Sequence, residues 1–280
     1  MIKLVLTDMD NTLIPFGAGH VSARARAAMA EVRAAGIQIG PATGRDYVEL
    51  MGFFDGDDSC FQTGLLSNGK KVMVDGEIRH LSLVDNAALQ RFADYIDPME
   101  NAFVCAYPFE TTIENPVWCV GRTQEEADAW GERFSFTAVP VDRVPDARLI
   151  GGTLACSGTQ DDLAALKEAG TSLCPEFDFI QPVPHWCDIV PHGVNKGAAL
   201  DLLLEELDVA PDEVVFFGDA ENDLQIMEKV ENSVAVANAT PAAAAAARWH
   251  VGACADDAVA LALEDIARSA REGAMPSFML

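Results

Sequence analysis

Two aspartates with one residue between them, Asp8 and Asp10, close an apolar run in "LVLTDMDNTL", residues 4 to 13. Other polar groups stand in the same relation to apolar runs: Thr43, Gly44 and Arg45 after "IQIGPA", Lys196 after "CDIVPHGVN", and Asp219, Asn222 and Asp223 after "DEVVFFG". Carboxylates such as Asp8, Asp10 and Asp219 repel one another at a single point unless a cation lies among them. A hard, all-oxygen set with few protein ligands suits Mg²⁺, which keeps several waters and takes further ligands from a substrate phosphate. Phosphoryl transfer needs a metal of this kind on one side of phosphorus and positive or N–H donors on the other. Thr43, the Gly44 backbone and Lys196 are suitable donors, and an aspartate carboxylate can serve as nucleophile by forming an aspartyl-phosphate. Each cluster alone has an ordinary explanation, because Asp and Asn favour turns, Thr-Gly pairs follow strands in loops, and lysine is a surface residue. The order of the clusters and their shared position after apolar runs carry the reading.

The elements that must hold them follow from periodicity. Ile2 to Leu6 is aliphatic and β-branched without alternation, as a strand buried on both faces of a parallel sheet requires. "SARARAAMAEVRAAG" repeats its apolar residues at helical spacing, with Ser22 placed to cap it and Gly36 to end it, and "IQIGPATG" is the next strand. From about Leu81 to Trp186 the texture changes: most of the prolines and three of the four tryptophans lie here, and strand-like pieces mix with helical ones. An inserted α+β module is predicted. Strand, polar loop and helix then recur in "CDIVPHGVNKGAALDLLLEELD" and "DEVVFFGDAENDLQIMEKV", and Thr240 and Pro241 open a helix through an alanine run. The predicted architecture is α/β, with a core at 1–81 and 187–280 and an insert at 82–186. In an open parallel sheet the carboxyl ends of the strands form the ligand-binding edge.

The 280 residues carry 44 acidic against 19 basic side chains, a formal charge of −25, which repels nucleic acid and anionic membrane surfaces. Neither is expected as a partner, while a small anionic ligand remains compatible with a local cation in one cleft. Seven scattered cysteines without a C-x-x-C pair suggest neither a disulfide framework nor a zinc site. The expected location is the cytoplasm, since the chain enters a strand-like run at once and no apolar stretch reaches membrane-spanning length.

Taken together the motifs resemble those of the haloacid dehalogenase (HAD) superfamily, in its Cof-type IIB group. "DMDNT" resembles the first motif, "ATGR" the second, "NKG" the third and "GDAENDLQIM" the fourth, and "SNG" at 67–69 sits where this family carries a similar segment. The resemblance implies a Rossmann-like core with an inserted C2B-type cap, and an Mg²⁺-dependent phosphatase acting on a small phosphorylated metabolite, sugar phosphates being the first expectation. It implies Asp8 as nucleophile and Asp10 as general acid and then base. Asp8, the Asp10 backbone carbonyl and Asp219 would hold Mg²⁺ with Asp223 in support, and Thr43, Gly44, Lys196 and Asn222 would bind phosphate. Arg45 is placed with the phosphate-binding group, though it could contact substrate or protein. The family often has Gly where Asn11 stands. A phosphomutase with the same aspartates, or a non-catalytic sensor of a phosphometabolite, remains open. In the insert, Trp118, Arg122, Trp130, His185 and Trp186 could line a pocket, with core packing and surface charge the simpler reading.

Overall fold

The first stretch of chain runs β1 (Leu4–Thr7), α1 (Ala23–Ala34), β2 (Gln38–Pro41), α2 (Tyr47–Phe53), β3 (Gly64–Leu66), β4 (Lys71–Val74) and β5 (Glu77–Leu81) in this computed structural model, which describes residues 1–109, 117–134 and 137–280. The middle stretch runs α3 (Asn86–Ile96), β6 (Ala102–Pro108), β7 (Val117–Val120), α4 (Gln124–Phe134), β8 (Ala138–Val141), β9 (Leu149–Cys156), α5 (Gln160–Leu173), β10 (Phe177–Val183) and β11 (Trp186–Pro191). The last comprises α6 (Lys196–Leu207), β12 (Val214–Gly218), α7 (Leu224–Met227), β13 (Asn232–Ala235), α8 (Pro241–Ala246), β14 (Trp249–His250) and α9 (Ala258–Glu272). Two compact units result: Met1–Leu81 with Asn195–Leu280, and Ser82–Val194.

In the first unit a parallel sheet has the order β14-β13-β12-β1-β2. Alternate side chains of its central strands enter two different cores, as the two-residue period of a strand requires. Val5, Val215 and Phe217 pack with Met29 and Val32 of α1 and Leu263 and Ile266 of α9. Leu4, Leu6, Val214 and Phe216 pack on the other side with Leu200 and Leu203 of α6 and Ile226 of α7. Helices on both faces explain why β1 reads as an uninterrupted apolar run. Ser22 caps α1 by accepting from the Ala25 N–H, and Thr240 caps α8 by accepting from the Ala243 N–H, with Pro241 at its first position.

The second unit is built on a six-stranded sheet of order β10-β11-β9-β6-β7-β8, antiparallel except between β7 and β8. Leu89 and Phe92 of α3 and Leu163 and Leu166 of α5 cover one face with Val104, Leu154 and Ile189. On the other, Trp130 of α4 meets Phe103 edge-on at 4.5 Å between ring centroids. Arg122 is held by backbone carbonyls of Met99, Ala102 and Gly121, a packing role.

The sequence reading differs from the structure in one strand. β11, read as the return to the parallel sheet, instead pairs antiparallel with β9 and β10, so this unit ends at Val194 and not at residue 186. Alternation is the same in parallel and antiparallel strands, so "CDIV" could not reveal its partner. No helix among the described residues is long and apolar enough to cross a membrane.

Candidate active site

Parallel pairing of β1 between β12 and β2 brings three of the predicted clusters to one edge. Thr7 lies opposite Phe217 and Pro41, so the next residues out are Asp8, then Gly218 and Asp219, and Ala42 and Thr43. The Asp8 N–H still donates to the Phe217 carbonyl (2.8 Å) and the Ala42 N–H to the Thr7 carbonyl (2.9 Å), which ties the first loop residues to the ladder.

Asp8 and Asp10 then separate. The Met9 side chain is buried in the core, its carbonyl accepts from Leu13 (2.9 Å) and Ile14 (2.8 Å), and Asn11 takes φ 60°, a left-handed conformation that Asn tolerates better than most residues. This tight turn leaves Asp8 buried while the Asp10 side chain remains 43% exposed.

Lys196 reaches the same point from another direction. It opens α6, capped by Asn195 accepting from the Ala198 N–H, and the strand before it, β11, lies in the six-stranded antiparallel sheet and not in the parallel sheet that the sequence predicts for it. Its Nζ donates to Asp8 Oδ1 at 2.7 Å and to Asp223 Oδ1 at 2.8 Å, with 1% of the residue exposed. Asp223 Oδ2 accepts from the backbone N–H of Asp219 (2.9 Å) and Ala220 (3.2 Å), so this carboxylate fixes both the lysine and the fourth-motif turn. Two glycines permit the close approach. A Cβ at Gly218 would come within 2.7 Å of the Asp223 carboxylate, and one at Gly197 within 2.9 Å of the Gln225 carbonyl oxygen.

Thr12, in the same loop as the first motif, donates to Asp219 Oδ1 at 3.0 Å. Its residue type alone gives no sign of this partnership, although it stands inside "DMDNT". Thr43 is buried; its hydroxyl accepts from the Arg45 N–H (3.1 Å) and retains its own proton to donate. The Gly44 N–H has no acceptor among the described residues. Asn222 is exposed and makes no side-chain hydrogen bond among them.

Arg45 contacts protein, one of the two kinds of contact that the sequence leaves open for it. Its Nε and Nη2 donate to Asp10 Oδ2 (2.9 Å) and Oδ1 (2.8 Å), and Nη1 donates to Glu49 Oε1 (2.8 Å), while the guanidinium lies 5.2 Å from the Phe53 ring centroid.

Electrostatics separates the groups further. Burial pushes the Asp8 carboxyl up to about 7 against the opposing charge of Lys196, and burial likewise pushes Asp219 up to about 6 against the Thr12 hydrogen bond. Lys196 is also held above its ordinary value: burial pulls it down, but Asp8 and Asp223 outweigh that. Asp8, Asp219 and Asp223 each offer an oxygen within 4.8 Å of the others. Three buried carboxylates against one ammonium leave an excess of negative charge, and an all-oxygen donor set in that state fits a hard divalent cation.

The family described as haloacid dehalogenase-like hydrolase matches residues 5–263. The HMP-PP phosphatase of Yersinia pseudotuberculosis is 28% identical over 251 residues, covering 86% of this chain and 86% of that protein. The HMP-PP phosphatase of Citrobacter koseri is 26% identical over 246 residues with the same coverage. Among solved structures, a haloacid dehalogenase-like hydrolase from Bacteroides thetaiotaomicron superposes with a TM-score of 0.77 at 20% identity, covering 95% of this chain and 100% of that one. A sugar phosphatase of HAD subclass IIB gives a TM-score of 0.68 at 17% identity, covering 94% and 98%. These last two likenesses are of fold.

Proposed function

Because the chain belongs to the haloacid dehalogenase-like hydrolases and is a phosphatase of that family, we propose that it hydrolyses a small phosphorylated metabolite through an aspartyl-phosphate on Asp8, with Mg²⁺ as cofactor. The observation that carries this reading is the position of Asp8: buried just past the end of β1, an interior strand of the parallel sheet, with Lys196 on one oxygen and Asp219 just past the end of the neighbouring strand. A buried carboxylate oriented by an ammonium is a nucleophile held in one direction.

Asp8 attacks phosphorus while the bond to the leaving oxygen breaks, its electron pair going to that oxygen, which takes a proton from Asp10. Water then attacks the phosphoryl group, Asp10 accepts the water's proton, and the bond electrons return to Asp8. Thr43, the Gly44 N–H and Lys196 are the donors to the phosphoryl oxygens, with exposed Asn222 free to join them. The metal would be held by Asp8, the Asp10 carbonyl and Asp219, with Asp223 supporting from behind through Lys196 and the 219–220 backbone; when bound it supplies charge neutralisation at the phosphoryl oxygens.

Sugar phosphates are the first substrates to try, and HMP-PP, for which the curated relatives are named, the second. A panel of phosphorylated metabolites assayed with Mg²⁺ should give release of free phosphate from at least one member, abolished by chelation. Isomerised substrate without free phosphate would instead identify a phosphomutase, and tight binding without turnover a sensor.

A further inference from the structure

From the side-chain geometry at Asp10 we infer that Arg45 is a positioning residue for the hydrolytic half-reaction, holding the Asp10 carboxylate in the orientation that accepts the proton of the attacking water, and is not a ligand of the substrate phosphate. The inference rests on the reading of Asp8 as nucleophile and Asp10 as proton-transfer group.

Four observations converge on it. The guanidinium grips both Asp10 oxygens at 2.8 and 2.9 Å, a planar two-point contact that fixes a carboxylate's rotation in a way a single contact cannot. Its third nitrogen is engaged by Glu49 one helical turn on, and its plane rests near Phe53, so the fork itself has a set direction. A guanidinium already shared between two carboxylates has little positive charge left for a phosphate.

The root of the side chain is equally fixed. The Arg45 carbonyl accepts from the Ser67 N–H (2.9 Å), and the Thr43 carbonyl from the Asn68 N–H (2.9 Å). Beside it, Asp46 caps α2 and also takes the Ser67 hydroxyl (2.9 Å) and the Lys71 ammonium on both oxygens (2.7 Å each), with Lys71 only 4% exposed. Ser67 and Asn68 hold φ of 52° and 56°, an uncommon pair for residues with side chains, which the surrounding bonds must sustain. "SNG" therefore has a physical task in this chain: it clamps the backbone from which Arg45 reaches Asp10.

Finally, the geometry leaves Asp10 able to act. A carboxylate has about four lone-pair sites, and the fork occupies two, so sites remain for the water's proton. In this step the water oxygen bonds to phosphorus, the bond from phosphorus to Asp8 breaks with its electrons going to Asp8, and the proton goes to Asp10; no other reactant is required.

The test uses an activated aryl phosphate, whose phenol departs without a proton, so its first turnover does not need Asp10. Rapid mixing separates that first turnover, seen as released phenol, from the steady state, which includes hydrolysis of the phosphoryl-enzyme. In Arg45→Gln the steady-state rate should fall about tenfold more than the first-turnover rate, a fraction of the roughly 10²–10⁴-fold that general acid–base catalysis supplies. Arg45→Lys, which keeps the charge but not the fork, should lie between, and it carries the test if the Gln variant does not fold. In an Asp10→Asn background neither change should add a further loss. Equal loss in both phases, a loss confined to KM, no loss in either phase, or a full further loss without Asp10 would each overturn the assignment. Failure of the underlying reading looks different: wild-type enzyme releasing no phenol, or Asp8→Asn retaining its first turnover.

Discussion

Asp8 and Asp10 are two residues apart and each pairs with one long cation, yet the surroundings of the two pairs are opposite. Lys196 is a point charge with 1% of its surface exposed, shared between Asp8 and Asp223. Arg45 is a planar fork, its side chain 37% exposed, shared between Asp10 and Glu49. In the interior each charge depends on its partner, since desolvation is severe and water cannot substitute. At the surface the pair contributes little stability, because solvent screens it, and what remains is geometry. In the proposed mechanism the buried pair would hold the nucleophile in a fixed place, and the surface pair would aim the group that exchanges protons with substrate and water.

That contrast is broken most strongly by deleting the buried cation. Lys196→Met leaves Asp8 and Asp223 without their ammonium and should cost about 3–5 kcal/mol of stability, whereas Arg45→Gln should cost no more than about 1 kcal/mol. Denaturant unfolding of both variants decides this, and comparable losses would mean that burial does not separate the two pairs.

A smaller effect follows from pH. The Asp8 and Asp219 carboxyls are raised in the folded state, to about 7 and about 6. The native protein therefore binds more protons than the unfolded chain between roughly pH 4 and pH 7, and metal-free stability falls as pH rises through that window. A divalent cation compensates the charge that appears there, so Mg²⁺ should raise the melting temperature more at pH 8 than at pH 5. An equal shift at both values, or metal-free protein that is more stable at pH 8, would contradict the charge count at the site.

The sequence shows why some of this was legible and some was not. Asp8, Thr43 and Asp219 follow apolar strands, and because neighbouring parallel strands end together, topology alone brings them to one edge. The "NKG" motif marks Lys196 but not its route, since β11 belongs to the other sheet and the lysine comes from a helix start. For Arg45 the sequence leaves substrate and protein contact equally open. Its pairing with Asp10 spans 35 positions in the chain and depends on where a flexible side chain settles, which no periodicity encodes. The Asp46, Ser67 and Lys71 clamp is hidden for the same reason, although Asn and Gly in "SNG" favour the left-handed turn found there and Asp46 is a residue type that favours helix N-caps.

The proposed mechanism turns on which carboxylate becomes phosphorylated. Enzyme quenched during turnover and treated with borohydride converts an aspartyl-phosphate to homoserine, and peptide mass spectrometry then locates the reduced position. Homoserine is expected at Asp8 in wild-type protein and nowhere in Asp8→Asn, which should also have lost turnover; homoserine at Asp10, Asp219 or Asp223, or unimpaired turnover by Asp8→Asn, would remove Asp8 as the nucleophile.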